Sequence, residues 1–328
     1  MLEEILNETR PALSVQTKAI IIANPVSGGY LLHSNLINEA VKYLQAHNWD
    51  VTLNLTEQAG DAQRLAREAV EAHVDVVIAA GGDGTINEII QELAGSETTL
   101  GVLPIGTVNV WAREVDIPFD GMDACEVLLH GQTRQIDLGQ VNGHYFMLMA
   151  GIGLDGEVAH AVERKPAKRL GALGYLLMGT MLGLGYPAFR IFMQIDGRVV
   201  KANAIQVIIG NTQLYGGAIK YTWQAKCDDG LLDICIIRQR SMLGRIAVAF
   251  DLLLRRNGRD RWIRYERCQT ARVRTRNTIA MQLDGDPAGH INSGFPSTTF
   301  TAVPLALKVI IPNTVSEDLF STHPIDTK

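Results

Sequence analysis

Cysteine is scarce: Cys125, Cys227, Cys235 and Cys268 are the only four in 328 residues, and no two form a Cys-x-x-Cys pair. A disulfide framework and a thiolate zinc site are thereby excluded, and reduced thiols in a cytoplasmic protein are expected. The eight histidines form neither HxxxH nor HExxH, which removes the other common zinc patterns. No Gly-Lys pair occurs, so a Walker A phosphate loop is excluded. Met1–Gln16 lacks the basic start and apolar run of a secretory signal. The one uncharged stretch of spanning length, Gly171 to Phe189, holds five glycines and a proline. It reads as a buried or lipid-facing helix rather than a span.

What is present suits a globular chain of two domains: 47% of residues are hydrophobic and 20% charged. The net charge of −5 is unevenly distributed. Between Arg255 and Arg276, nine arginines face only Asp260 and Glu266, a local +7. Such a run is either a solvated face with local ion pairs or a patch that meets an anionic surface. Trp262 and Tyr265 are too few aromatics for a stacking surface, so no nucleic-acid partner is expected.

Buried-strand runs at Lys18–Ala23, Asp75–Ala80 and Leu100–Leu103 alternate with helical spacing over Ser34–Gln45, Ala62–Ala72 and Ile86–Ala94. Asp50–Leu55 alternates as a strand, and Asp61 is the expected N-cap of the second helix. This βαβα order predicts a parallel sheet with ligand loops at the carboxyl ends of its strands. After about Gly131, short strands and the hairpin signals Asn142-Gly143 and Asp196-Gly197 dominate. Helical readings remain only over Val158–Arg164, Leu170–Leu184 and Ser241–Leu254.

Three loops follow strands of the first half. Gly81-Gly82-Asp83-Gly84-Thr85 leads into Ile86, Asn87 and Glu88; its glycines let backbone N–H groups converge on phosphate, and Asp83 suits a magnesium ion. Leu103–Ala112 contributes Gly106, Thr107 and Asn109, and Asn24–Gly29 makes the third. Together they predict an ATP site and phosphoryl transfer. Gly151–Gly156 fits GxGxxG, but no acidic residue stands where a dinucleotide fold needs one. Asp228-Asp229-Gly230 and Asp284-Gly285-Asp286 are acidic turns that could order a metal or take a proton.

Read in order, NPVSGG, GGDGTINE, LPIGTVN, DLG, GIGLDG, CDDGLLD and LDGD resemble the diacylglycerol kinase catalytic-domain family, which includes bacterial lipid kinases and sphingosine kinases. The resemblance covers nearly all of Lys18–Ile311. It implies an α/β fold of two domains: an NAD kinase-like parallel α/β nucleotide-binding domain over 17–135 and a β-sandwich over 136–303. The segment 304–328 would return to the first domain. It implies an ATP-dependent kinase acting on a lipid hydroxyl, diacylglycerol-like or sphingoid, with Mg²⁺ as cofactor. ATP contacts fall on Asn24, Pro25, Ser27, Gly28, Thr56, Gly81–Thr85, Asn87, Glu88, Gly106, Thr107 and Asn109. Magnesium falls on Asp83 and, as a structural ion, on Asp229 with the carbonyls of Lys226 and Leu231. The base falls on Asp284 or Asp286, the latter standing where relatives more often carry glutamate. Val110-Trp111 replaces a common Asp-Phe. The apolar Gly171–Phe189 would line an acyl groove, and the arginine-rich segment would rest on an anionic membrane, peripheral at its inner face. A homodimer is left open. Two other readings remain open: a soluble-substrate kinase of the NAD kinase type, and a catalytically silent lipid or nucleotide binder.

Overall fold

The computed structural model describes residues 16–25, 30–163, 185–217, 219–241, 244, 263–294, 296–315 and 317–321. Ser27, Gly28, the Leu170–Leu184 helical reading, most of Ser241–Leu254 and Arg255–Arg261 lie outside them.

The first half alternates strand and helix: β1 (Thr17–Ala23), α1 (Tyr30–Ala46), β2 (Trp49–Leu55), α2 (Asp61–Glu71), β3 (Val76–Gly81), α3 (Asp83–Leu93) and β4 (Thr99–Pro104). Two further helices follow, α4 (Val110–Glu114) and α5 (Gly121–His130). The four strands are parallel in the order β2-β1-β3-β4. All six residues of β3 are buried, as a central strand covered on both faces requires. Ile37 and Leu44 of α1 and Ile89, Ile90 and Leu93 of α3 pack with Ile21, Ile78 and Leu100 in one core.

The second half comprises β5 (Gln132–Val141), β6 (His144–Phe146), β7 (Met149–Gly153), α6 (Leu154–Glu163), β8 (Phe189–Ile195), β9 (Arg198–Gly210), β10 (Leu214–Tyr215) and β11 (Ile219–Lys220). It continues with β12 (Leu232–Arg238), β13 (Ile263–Cys268), β14 (Thr270–Thr275), β15 (Ile279–Leu283), β16 (Asp286–Ile291) and β17 (Thr298–Ile311). These strands form a β-sandwich-like layer around a second core, to which Ile191, Met193, Ile209, Ile234, Val273 and Phe300 belong. Apart from the β10–β11 pair, the strands of both halves join in a single mixed sheet. Among the described residues no helix is long and apolar enough to cross a membrane.

One strand joins the halves. The start of β17 pairs with β14, its whole length with β5, and its end reaches β4 through Val309 and Leu100. The register shifts between Val303 and Leu307, and Leu305 takes a left-handed φ of 49°. Pro304 removes a backbone donor at this bulge, where a missing ladder bond is tolerated. The bulge is pinned by Asp137 of β5, which is fully buried. Its carboxylate accepts Leu305 N–H at 2.7 Å and Gly230 N–H at 2.6 Å. Burial, with Asp229 and Asp228 nearby, pushes the Asp137 carboxyl up to about 6, against the pull of those two N–H donors.

Two local expectations change. Asp61 does not cap α2; the N-cap is Gly60 at φ 87°, and Asp61 instead accepts the N–H groups of Glu57 and Gln58 in the preceding turn. The third helix starts at Asp83, inside the glycine loop rather than after it. Elements α4, α5, β13 and β16 were not legible, being short or lacking clean periodicity.

Replacing Asp137 by alanine strands the buried Gly230 N–H and the half-buried Leu305 N–H, each costing about 1–3 kcal/mol. Urea denaturation of Asp137→Ala should therefore show a loss of roughly 2–6 kcal/mol.

Candidate active site

The parallel strands end on one edge, and the backbone stitches their loops together there. Asn24 N–H bonds to Ala80 O at 3.1 Å, Thr56 N–H to Ala23 O at 2.9 Å, and Gly106 N–H to Gly81 O at 3.1 Å. Asn24, Pro25, Thr56, the Gly81–Thr85 loop and the Gly106–Thr107 loop thus share one rim. Gly82 and Gly106 meet backbone to backbone: a β-carbon on Gly106 would lie 2.4 Å from Gly82 Cα. Only glycine permits that approach, which narrows the mouth between two N–H-rich turns.

Asn109 keeps the second loop in shape. It is buried, with a left-handed φ of 52°. Its Oδ1 accepts Gly106 N–H at 3.0 Å, and its Nδ2 donates to Gly106 O at 2.8 Å and Pro104 O at 3.2 Å. Glu88 has a comparable duty: its Oε2 accepts Gly60 N–H and Ala62 N–H, both at 3.1 Å, and so caps α2 from α3. Thr85 is buried, its Oγ1 standing 2.4 Å from where a β-carbon on Gly81 would be.

Asp83 faces two ways. Its Oδ1 accepts the Trp111 N–H at 3.3 Å, and the Val110 N–H also serves the carboxylate, so it caps α4 through backbone donors. The Val110-Trp111 departure leaves this contact intact, because main-chain atoms make it. Burial pushes the Asp83 carboxyl above its ordinary range, with Asp286 adding like-charge repulsion and the N–H donors opposing.

The acceptor side comes from the β15–β16 hairpin. Asp284, at φ 49°, is the most heavily bonded carboxylate of the site. Its Oδ2 accepts Asn87 Nδ2 at 3.0 Å and Met147 N–H at 2.8 Å; its Oδ1 accepts Leu148 N–H and Met149 N–H, both at 2.9 Å. Four donors fill the four lone-pair directions of a carboxylate. Burial raises the Asp284 carboxyl above the usual range, and those donors work in the opposite sense. Asp286 is exposed, and its Oδ2 sits 3.3 Å from the position of a β-carbon on Gly84.

A buried polar chain sets the hairpin. Gln282, fully buried, accepts Gly285 N–H at 2.6 Å and donates to Asp155 Oδ2 at 2.6 Å. Asp155 also takes the Tyr215 hydroxyl hydrogen bond. Next to Tyr215, the N–H groups of Leu214 and Gln213 bond to Glu114 of α4 at 2.7 and 2.9 Å. Neither Gln282 nor Glu114 was legible in the sequence: Gln282 is one polar residue in an apolar run, and Glu114 stands among the ordinary charges Arg113 and Asp116. The Gly151–Gly156 motif belongs to this chain: β7 is antiparallel to both neighbours, so no dinucleotide crossover exists there.

Lys226, Asp229 and Leu231 stand apart from this rim. Their loop is tied to Asp137 through Gly230 and to the 3₁₀ turn Glu317–Leu319, where Cys227 N–H bonds to Leu319 O at 2.9 Å. Asp229 accepts Leu231 N–H at 3.1 Å and meets the Arg267 guanidinium, which also reaches Asp233 at 3.2 Å. Arg267 thus offsets part of the charge of this turn, and a structural cation would share Asp229 with it. Among the described residues no group of three or more His, Cys, Asp or Glu side chains could hold a metal. Asp83 and Asp286 are different: two carboxylates repel across the rim, as a divalent cation carried on phosphate would relieve.

Comparison with known proteins decides the lineage. The diacylglycerol kinase catalytic domain pattern matches residues 18–141, and the YegS C-terminal NAD kinase beta sandwich-like domain matches 149–311. A diacylglycerol kinase of Bacillus subtilis (strain 168) is 33% identical over 281 residues, covering 85% of this chain and 92% of that protein. The chain belongs to the diacylglycerol kinase catalytic-domain family. It is an ATP-dependent lipid kinase. A diacylglycerol kinase of Staphylococcus aureus is 29% identical over 316 residues, 95% of this chain and 98% of that one. The crystal structure of a candidate diacylglycerol kinase from Bacillus anthracis str. Sterne superposes with a TM-score of 0.78 at 26% identity, over 92% of this chain and 97% of that chain.

Two outcomes follow for this lipid kinase. Gly106→Ala should raise the KM for ATP and lower the unfolding temperature, since its methyl group must push Gly82 aside; nucleotide titration and thermal unfolding measure both. Burial pushes Glu114 from 4.5 up to about 7, so its carboxyl favours the folded state when protonated. Its contribution is full below pH 4.5, declines as pH rises through 7, and is flat beyond. Glu114→Gln should be less stable below pH 4.5, where one N–H loses its acceptor, and show a flatter slope across that window in urea titrations.

Proposed function

We propose that the acceptor is a diacylglycerol-like lipid at the inner face of an anionic membrane, and that Asp286 receives its hydroxyl proton. The observation behind this reading is the placement of the exposed Asp286 carboxylate against Gly84, at the start of α3, while Asp284 has every acceptor direction engaged. The relatives in B. subtilis and S. aureus carry the name diacylglycerol kinase, which supports that substrate class.

In this reading the Gly82–Thr85 turn, Gly106 and Thr107 donate to the ATP phosphates, and Asn24 and Thr56 border the nucleotide. Asp83 would hold a phosphate-bound Mg²⁺, which would supply positive charge to the phosphates. Asn87, Glu88 and Asn109 hold the loops in place. The lipid hydroxyl oxygen forms its bond to the γ-phosphorus in line as the bond to the β–γ bridging oxygen breaks. The hydroxyl proton passes to a carboxylate oxygen of Asp286, and ADP leaves. Asp284 keeps the hairpin at the depth this transfer needs.

The test is transfer of the γ-phosphoryl group from ATP to diacylglycerol dispersed in detergent. Asp286→Asn should lower kcat by about 10²–10⁴-fold with the KM for ATP unchanged. Asp83→Asn should raise the Mg²⁺ concentration needed for half the maximal rate. If Asp286→Asn keeps the wild-type kcat while a stably folded Asp284→Asn loses it, the proton goes to Asp284 and the assignment is wrong.

A further inference from the structure

The outer face of the second half carries a charge that the phosphoryl-transfer site does not use. On β14, Arg272 and Arg274 alternate with the buried Ala271, Val273 and Thr275, and Arg276 follows in the same phase. All three therefore point away from the core. The register sets Arg272 opposite Gln194 and Arg274 opposite Phe192 of β8, while Arg276 N–H bonds to Arg190 O. Strand β8 in turn sets Arg190 opposite Asn203, Phe192 opposite Lys201 and Gln194 opposite Val199 of β9. Residues directly paired across strands share a face. Three adjacent strands thus gather Arg190, Lys201, Arg272, Arg274 and Arg276 on one solvent-facing surface, on which the paired positions of these strands place no Asp or Glu.

Nearby carboxylates are engaged elsewhere. Asp196, in the β8–β9 turn, accepts the N–H groups of Gln269 and Thr270. Glu266 of β13 is held by Arg198 and Arg264. Toward β17 the pairing adds only threonines, Thr299 opposite Arg272 and Thr301 opposite Thr270. The chain as a whole carries −5, so this face opposes the sign of the molecule. Arg264 pairs with Glu266, and Arg267 with Asp229 and Asp233. Among the arginine-rich segment's described arginines, Arg272, Arg274 and Arg276 contribute, joined by Arg190 and Lys201 from strands far away in sequence.

We propose that this three-strand face is the surface by which the kinase docks on an anionic lipid bilayer. The inference rests on the lipid-kinase reading, which requires the protein to meet a bilayer-borne substrate. The described residues offer no helix that could cross the membrane, so attachment falls to a surface. A pleated antiparallel face presents its cations in one plane, the geometry of a charged interface rather than a groove. Val199, 67% exposed beside them, adds an apolar side chain at the level of the headgroups. Nucleic acid is a poorer match: the one aromatic ring on the face, Phe192, is half-buried, with the Lys201 ammonium 6.0 Å from its centroid.

Co-sedimentation of the full chain with vesicles tests this, comparing phosphatidylcholine alone with phosphatidylcholine mixed with phosphatidylglycerol. Binding should require the anionic lipid and weaken as salt rises. Each basic residue at such a surface is worth about fivefold in partition. Arg272→Gln with Arg276→Gln should therefore cut partition on the order of 25-fold, and Lys42→Gln, far from this face on α1, should not. The double variant should keep wild-type thermal unfolding and wild-type activity on detergent-dispersed lipid, and lose activity only on vesicles. Partition of the double variant equal to wild type, or binding indifferent to phosphatidylglycerol, overturns the proposal. Competition by duplex DNA at equal charge assigns the face to nucleic acid and overturns it as well. A wild-type chain that binds anionic vesicles yet phosphorylates no detergent-dispersed lipid would instead defeat the lipid-kinase reading and leave the docking face standing.

Discussion

The site depends on one half-buried carboxylate. Asp284 belongs to the β-rich half, yet it draws N–H groups from Met147, Leu148 and Met149 and reaches across to Asn87 on α3. Removing a carboxylate from water is costly, and four donors at ordinary hydrogen-bond distances offset much of that cost. The arrangement is therefore demanding: a small displacement of either half leaves charge or donors without partners. Glu114 makes the reciprocal link, from the α/β half to the backbone of Gln213 and Leu214. Between them, Tyr215, Asp155, Gln282 and Gly285 complete a polar circuit around the cleft. The nucleotide loops and the acceptor hairpin are set relative to one another by this circuit rather than by apolar packing alone.

Much of this was readable from residue order. The loops GGDGT and LPIGTVN announce themselves because glycine, threonine and aspartate after a buried run have few structural uses other than a phosphate mouth. A second, β-rich half was readable from the change in periodicity near Gly131, and its sandwich form from the family resemblance. Short elements escaped. Helix α4 has five residues, too few for a periodic signal, and it is fixed by Asp83 rather than by its own sequence. The N-cap at Asp61 was misread because an aspartate before a helix looks alike whether it caps the helix or the turn before it. Long-range partners escaped as well. Nothing local marks Gln282 or Glu114, and Arg190 joins Arg276 only once strand pairing is known.

The division of labour within LDGD was the least readable feature. In sequence the two aspartates are equivalent, two positions apart on a hairpin. In three dimensions the left-handed turn at Asp284 and Gly285 sends one inward to the amides of Met147–Met149 and leaves the other facing Gly84. Spacing alone does not reveal such an asymmetry, because it arises from which neighbours each carboxylate meets.

Strand β17 carries a consequence for how the molecule could be divided. Its first part lies in the sandwich, and its last part lies beside β4 and along β5. A fragment ending near Val141 would keep the whole glycine-loop edge, but β4 would become an unprotected sheet margin and β5 would lose both of its partners, β6 and β17. Open backbone of that kind recruits strands from other chains. The catalytic half, though continuous in sequence, is thus not a self-sufficient folding module, and its solubility is underwritten by a strand made last.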